Sequence, residues 1–598
     1  MKVVRKVLAI GSVLSACAGA AFAQVTPVGP EFQVNTYFTG YQGLPKVCRA
    51  QEGNFTIVWR SDNQDGSGSG IFGQRYSNAG GTLGTEFQIN TYTTNSQALP
   101  TLACSPAGDF VVAWRSAGQD GDGFGVFGRR YASSGTALGT EFQVNSFTTG
   151  SQDNPAVSMD ASGNFVVVWT SAGQDGDNNG VFAQRYDSNG APLGTEFQVN
   201  TFTTGNQNTA LGSPVSSDSS FNFVVSWSSD GQDGDLTGAF AQRYDSTGVA
   251  QGTEFRVNSY TTGRQDSPAV ARAPGGDFVV AWRSSGQDGS GYGIFGQRYT
   301  SAGAAAGTEF QVNAYTTGAQ GFPAVATNGP GDFVVAWASD GQDGDSSGVF
   351  AQRFDRTATP LGTEFQVNTT TVGFQSLESV GSDAMGNFVV SWISGSNQDG
   401  DSFGVFAQRF AVPLCPPLPR TDCRSGSTLQ SVLRMKEGNP YLRKLVWTWR
   451  HGAQTNLADF GEPLTTTSYA LCVYDEIGGV ASPPVSFEVS PDSTASLCAV
   501  PPCWKDKGDQ GFKYRDSVGG SQGVRTVVLK PGEDGKAKVV MKAGGDQLQL
   551  PTPTATKLLN QDPAVTVQLV NSQGKCWTAN FTAPALKNET QKFRDKQG

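Results

Sequence analysis

A single histidine, His451, occurs in 598 residues, so chemistry that turns on imidazole, a Ser-His-Asp triad or a His-ligated metal, is excluded from almost the whole chain. Beyond residue 23 no apolar run approaches the roughly 18 residues that span a bilayer as a helix. Lysine is nearly missing from residues 24–410, where Lys46 stands alone and 17 Lys+Arg face 35 Asp+Glu. A balance of −18 there disfavours a phosphate-tracking surface and therefore nucleic-acid binding. Residues 411–598 carry 22 basic against 17 acidic side chains, a mild excess of +5 that an ordinary solvated surface explains.

The N-terminus has a basic stretch at residues 2–6, an apolar run from Val7 and small residues ending in Ala21-Phe22-Ala23. This reads as a bacterial export signal over residues 1–23. Leu14-Ser15-Ala16-Cys17 also fits a lipobox, in which Cys17 would carry a lipid anchor. The expected location is outside the cytoplasm: secreted, periplasmic or at the cell surface.

What the chain has in abundance is repetition. EFQVN or a near copy begins at Glu31, Glu86, Glu141, Glu196, Glu254, Glu309 and Glu364, with spacings of 55 residues except one of 58. Each copy holds four short extended runs separated by Gly-rich turns, the pattern of a four-stranded antiparallel unit. In DFVVAWRS, Phe110, Val112 and Trp114 alternate with Val111 and Ala113, so both faces are apolar and need cover from neighbouring units. The seven tryptophans at this position (Trp59, Trp114, Trp169, Trp227, Trp282, Trp337, Trp392) are expected to pack between blades, and the arginines of QRY or QRF to cap groups between units. The last copy stops at GVFAQRF, so residues 31–35 can complete the seventh blade. The fold expected is all-β, a seven-bladed propeller over residues 31–410. An open solenoid would need capping units, and none is visible.

The loop before the inner strand and the Gln-Asp-Gly loop should open on one face. Asp65, Asp120, Asp175, Asp233, Asp288, Asp343 and Asp399 recur there, followed in five units by Asp122, Asp177, Asp235, Asp345 and Asp401 and in two by Ser67 and Ser290. Two readings compete. Asp-Gly is a hairpin-turn signal, and clustered carboxylates suit calcium, the one cofactor this pattern points to. The third carboxylate of a calcium loop is missing or reduced to Asp230 and Asp340 upstream.

FVVxWxSxGQDGDxxGVFAQRYD followed by GTEFQVNTxTTG resembles repeats of large bacterial surface and adhesin-like proteins, often found beside calcium-binding modules. More distantly it is similar to the FG-GAP repeats of integrin-α-type propellers. The resemblance covers residues 31–410 and brings no established catalytic residues. The S-x-D-x-G-x-x-W boxes of sialidase-type propellers are absent.

A proline-rich linker at 411–422 precedes strand-like runs over 423–585, read as a β-sandwich-like domain, and residues 586–598 read as a polar tail. Six cysteines lie in this last third (Cys415, Cys423, Cys472, Cys498, Cys503, Cys576), permitting 15 pairings. In an exported protein they read as disulfides, zinc being the alternative. Cys48 and Cys104 fall on inner strands of adjacent blades and are a further candidate pair.

Repeated, near-equivalent loops favour a non-enzymatic binding, adhesion or scaffold protein with an extracellular protein or glycan ligand. The alternative is a polysaccharide hydrolase or lyase using carboxylates in the channel. One deep site with unlike carboxylates favours the enzyme, and seven similar shallow sites favour binding. Symmetry breaks most at the fourth blade, whose three extra residues fall within 206–223.

Overall fold

The computed structural model describes residues 25–596 apart from 52, 396–397, 416–417, 427–429, 465–466, 482–483, 490–502, 518, 520–521, 552 and 573–574. The expected export signal over residues 1–23, Cys17 within it, and Cys498 lie outside the described residues. Seven antiparallel sheets are each ordered from an inner to a short outer strand. In the fifth these are Gln265–Arg272, Phe278–Ser285, Tyr292–Tyr299 and Phe310–Gln311. The outermost strand of each blade is thus the EFQ of the following copy, and Phe32–Gln33 supplies it for the seventh by pairing with Gly404–Ala411. The ring closes and leaves no unpaired blade at either end.

Every one of the seven tryptophans is fully buried. Trp59 packs with Val47 and Phe72 of its own blade and with Val389, Val405 and Ala407 of the seventh, so the apolar faces of neighbouring blades cover one another. The arginines bridge the same seams at the opposite end. Arg185 donates to the Ser246 carbonyl, Arg243 to that of Ser301 and Arg409 to that of Asn78, each at 2.8 Å. Two buried ion pairs, Arg49–Asp383 at 3.2 Å and Arg272–Asp218 at 3.0 Å, join the ends of adjacent inner strands. Cys48 and Cys104 form a disulfide between blades one and two, with Cα atoms 5.8 Å apart.

Inner strands carry a bulge that the pattern of alternation hides. In six blades the register jumps between the second and fifth residue, as between Ser376 and Ser379. One unpaired residue there is left-handed: Leu44, Leu99, Asn154, Ser267, Phe322 and Leu377 have φ between 48° and 56°. The next residue is proline in five of these blades, because a bulge position need not donate to the ladder.

Beyond the ring, a six-stranded and an eight-stranded sheet enclose one core. Trp447, Trp449, Leu529 and Met541 of the larger sheet meet Tyr469, Leu471, Val567 and Trp577 of the smaller, the arrangement of a β-sandwich. Cys415–Cys472 and Cys423–Cys576 tie the linker to the smaller sheet, and Cys503 is disulfide-bonded as well. The expected polar tail is corrected: Lys587–Glu589 and Lys592–Lys596 are strands of the larger sheet. Phe593 and Asp595 face inward there, and Gln561 donates to Asp595 at 2.7 Å, which lets a charged segment hold a sheet edge.

Candidate functional site at the channel mouth

The loop before the inner strand and the Gln-Asp-Gly loop meet on one face, since Asp122 accepts the Gly150 N–H at 3.0 Å and Asp401 the Gly40 N–H at 2.8 Å across blades. Asp177, Asp235 and Asp345 accept from Gly205, Gly263 and Gly373 in the same way. The N–H groups of Gly150 and Gly123 hold the Asp122 carboxyl below the usual carboxylate range. The first aspartates, Asp65, Asp120, Asp175, Asp233, Asp288, Asp343 and Asp399, each accept from the asparagine of an EFQVN strand at 3.0–3.4 Å. Asp230 is engaged by Asn206 and Thr237.

These residues do not fit a calcium ion. Their oxygens converge on N–H donors of the turn and of the next blade, and among the described residues they form no group of three ligands within reach of one cation. Asp422, Cys423 and Cys576 do form such a group, but the two sulfurs are bonded to each other. The second aspartates fasten one blade to the next, and the first fasten the turn to the outer strand of their own blade.

Unlike groups gather on the axis instead. Glu378 stands at the bulge position where five other blades have proline, and it is 3% exposed. Neither of its carboxylate oxygens has a hydrogen bond of ordinary geometry. Burial pushes the carboxyl up to about 8, and the nearby N–H groups of Glu378 and Ala338 and the Lys46 ammonium offset it only in part. Lys46, from blade one, is half-buried against the channel wall. Its enclosure pulls the ammonium down to about 8 against the opposing pull of Glu378.

Two further carboxylates occupy equivalent places in blades three and five, each at the second residue of an inner strand. Asp153 pairs with Arg115 at 2.7 Å, both about a quarter to a third exposed. Asp266 pairs with Arg283, whose second nitrogen reaches the other carboxylate oxygen at 3.3 Å. Each guanidinium lies on an aromatic ring: Arg115 is 4.4 Å from the Phe124 centroid, and Arg283 is 4.7 Å from that of Tyr292. Phe322 at 37% and Leu211 at 38% exposed add apolar surface nearby. His451 lies apart on the sandwich, exposed, with Nδ1 3.0 Å from the Gly535 carbonyl.

No protein-family profile and no curated protein matches the sequence. Solved structures match by shape at low identity. A protein of unknown function from Dyadobacter fermentans is 12% identical over 65% of this chain and 99% of its own, with a TM-score of 0.42. A fungal alcohol oxidase of the AA5 family, in complex with copper, is 11% identical over 95% and 99%, with a TM-score of 0.41. An α-L-arabinanase from Penicillium chrysogenum, complexed with arabinobiose, is 13% identical over 64% and 98%, with a TM-score of 0.35. Likeness at this level is one of fold.

The expected non-enzymatic binding or adhesion scaffold is corrected. It rested on seven equivalent shallow sites, whereas the repeated carboxylates are consumed by turns, outer strands and seams, and single, unlike groups stand on the inner strands.

Proposed function

We propose that the chain is an exported hydrolase of polysaccharide acting at the mouth of the propeller channel. The observation that carries this reading is Glu378, an unpartnered carboxyl that burial keeps protonated at neutral pH, on the same ring as the ion-paired carboxylates Asp153 and Asp266. Carboxyls of separated acidity are what glycoside cleavage requires. Glu378 gives its proton to the bridging oxygen as the bond to the anomeric carbon breaks. An ion-paired aspartate offsets the positive charge that develops on the sugar ring, and water completes the cleavage and returns the proton. Arg115 and Arg283 fix the aspartates, and Phe124, Tyr292 and Phe322 offer faces for sugar rings. Disulfides and the absence, among the described residues, of any helix able to cross a membrane fit an extracellular enzyme.

The test is release of reducing ends from a panel of polysaccharides headed by arabinan. Glu378→Gln should lower the rate about 10²- to 10⁴-fold, the range for loss of a general acid, with circular dichroism unchanged. Release from no polymer, or a wild-type rate in the variant, overturns the proposal.

A further inference from the structure

Blade four alone interrupts its inner strand. Gln207–Asn208 and Val215–Ser217 both pair with Phe223–Asp230, while residues 209–213 leave the sheet and Pro214 rejoins it by accepting the Ser226 N–H at 2.8 Å. Three other blades bond that loop and a fourth crowds it. Lys46 of blade one donates from Nζ to the Leu211 carbonyl. Thr209 donates to the Asn154 carbonyl of blade three at 2.8 Å. The Val270 N–H of blade five donates to the Ser213 carbonyl at 2.8 Å. A Cβ on Gly212 would lie 3.2 Å from the Pro323 carbonyl oxygen of blade six, so only a residue without a side chain fits there comfortably. One short segment can touch blades on opposite sides of a ring only by lying across its axis.

The lysine is as singular as the loop. At the matching inner-strand position the other blades have Thr101, Ala156, Pro214, Ala269, Ala324 and Ser379, none long enough to reach the axis. Three departures from the repeat, the insertion, Lys46 and Glu378, therefore meet at one place.

We infer that residues 209–213 are a plug that makes the channel a dead-end pocket, that Lys46 is the positioning residue that clamps it, and that the pocket therefore takes the ends of polysaccharide chains and not their interiors. The last clause rests on the hydrolase reading above; the plug and clamp do not. A polymer cannot thread past a loop bonded to the far wall, so a sugar reaching Glu378 has to be terminal.

Two measurements on the full chain test this separately. In hydrogen exchange read by mass spectrometry, Lys46→Met should speed exchange in peptides covering 207–215 at least tenfold and leave the inner strands of blades two and six unchanged; unaltered exchange overturns the clamp. In digests, the wild type should release short products with little early loss of viscosity. A variant whose residues 208–214 are replaced by Asp-Ser-Pro-Ala, as in blade five, should lose viscosity faster per bond cut. A wild type that collapses viscosity after few cuts overturns the chain-end inference. Cleavage of no polymer overturns the hydrolase reading and the chain-end clause with it, and the clamp is then judged by exchange alone.

Discussion

Glu31 accepts the backbone N–H of Thr369 at 2.6 Å and the Thr369 hydroxyl at 3.0 Å, although the two are 338 residues apart. The same bond joins Glu86 to Thr36, Glu141 to Thr91 and Glu196 to Ser146, so each blade is latched to the next by one carboxylate. In the other six blades a turn joins the strand that follows this glutamate to the strand it pairs with. In blade seven Phe32–Gln33, next to Glu31, is held to Gly404–Ala411 by pairing alone. Glu31→Ala should therefore cost more stability than Glu141→Ala, which is expected at about 1–3 kcal/mol for a carboxylate losing charge-assisted bonds. Urea unfolding of both variants decides it.

Trp282 fills the seam between blades four and five, packed with Val224, Ala239 and Ala241. Trp282→Ala should lose about 3–5 kcal/mol, the cost of emptying a buried aromatic site. A loss under about 1 kcal/mol in the same unfolding assay would contradict its place between blades.

Because the Gln-Asp-Gly carboxylates accept N–H bonds and do not surround a cation, melting temperature should be the same in chelator and in millimolar calcium. A rise of several degrees with calcium, which binding to the folded state alone would produce, would contradict the assignment of these residues as fasteners.

Glu378 has a folded-state carboxyl near 8 against an ordinary value of 4.5. The folded chain thus holds more protons than the unfolded chain between those values, and stability from this group falls as pH rises through that window. Lys46 acts oppositely and higher: its folded value near 8 against 10.5 makes its contribution rise between pH 8 and 10.5. Glu378→Gln should therefore flatten the decline between pH 4.5 and 8. Melting curves at pH 4.5, 6 and 8 for both proteins measure this. Equal slopes would mean that Glu378 is not buried as a neutral acid.

The ring was legible in the sequence because its information is periodic: a tryptophan, a QRY arginine and an EFQVN strand recur at one spacing, and the unmatched ends show which strand closes it. The mouth was not legible for the same reason. Lys46 and Glu378 each occur at one blade only, and a reading built on what recurs passes over what does not. The three extra residues near blade four were visible as a break in spacing, but their path across the axis depends on contacts with blades far away in sequence. The left-handed residues Leu44 and Leu377 had no glycine to mark them, only the proline that follows in most copies. The repeat placed Cys48 beside Cys104, whereas disulfide partners in the sandwich needed spatial proximity, and the last strand was hidden because its one inward-facing carboxylate, Asp595, is satisfied by a side chain from elsewhere.

Thr26 pairs with Ala411 and Phe32 with Ala407, so the first strand made is the last to find its place. As the ribosome delivers the chain, the opening residues must wait for hundreds more before the final blade exists. Where the ring is joined thus sets when it can close: not before its seventh blade has been made.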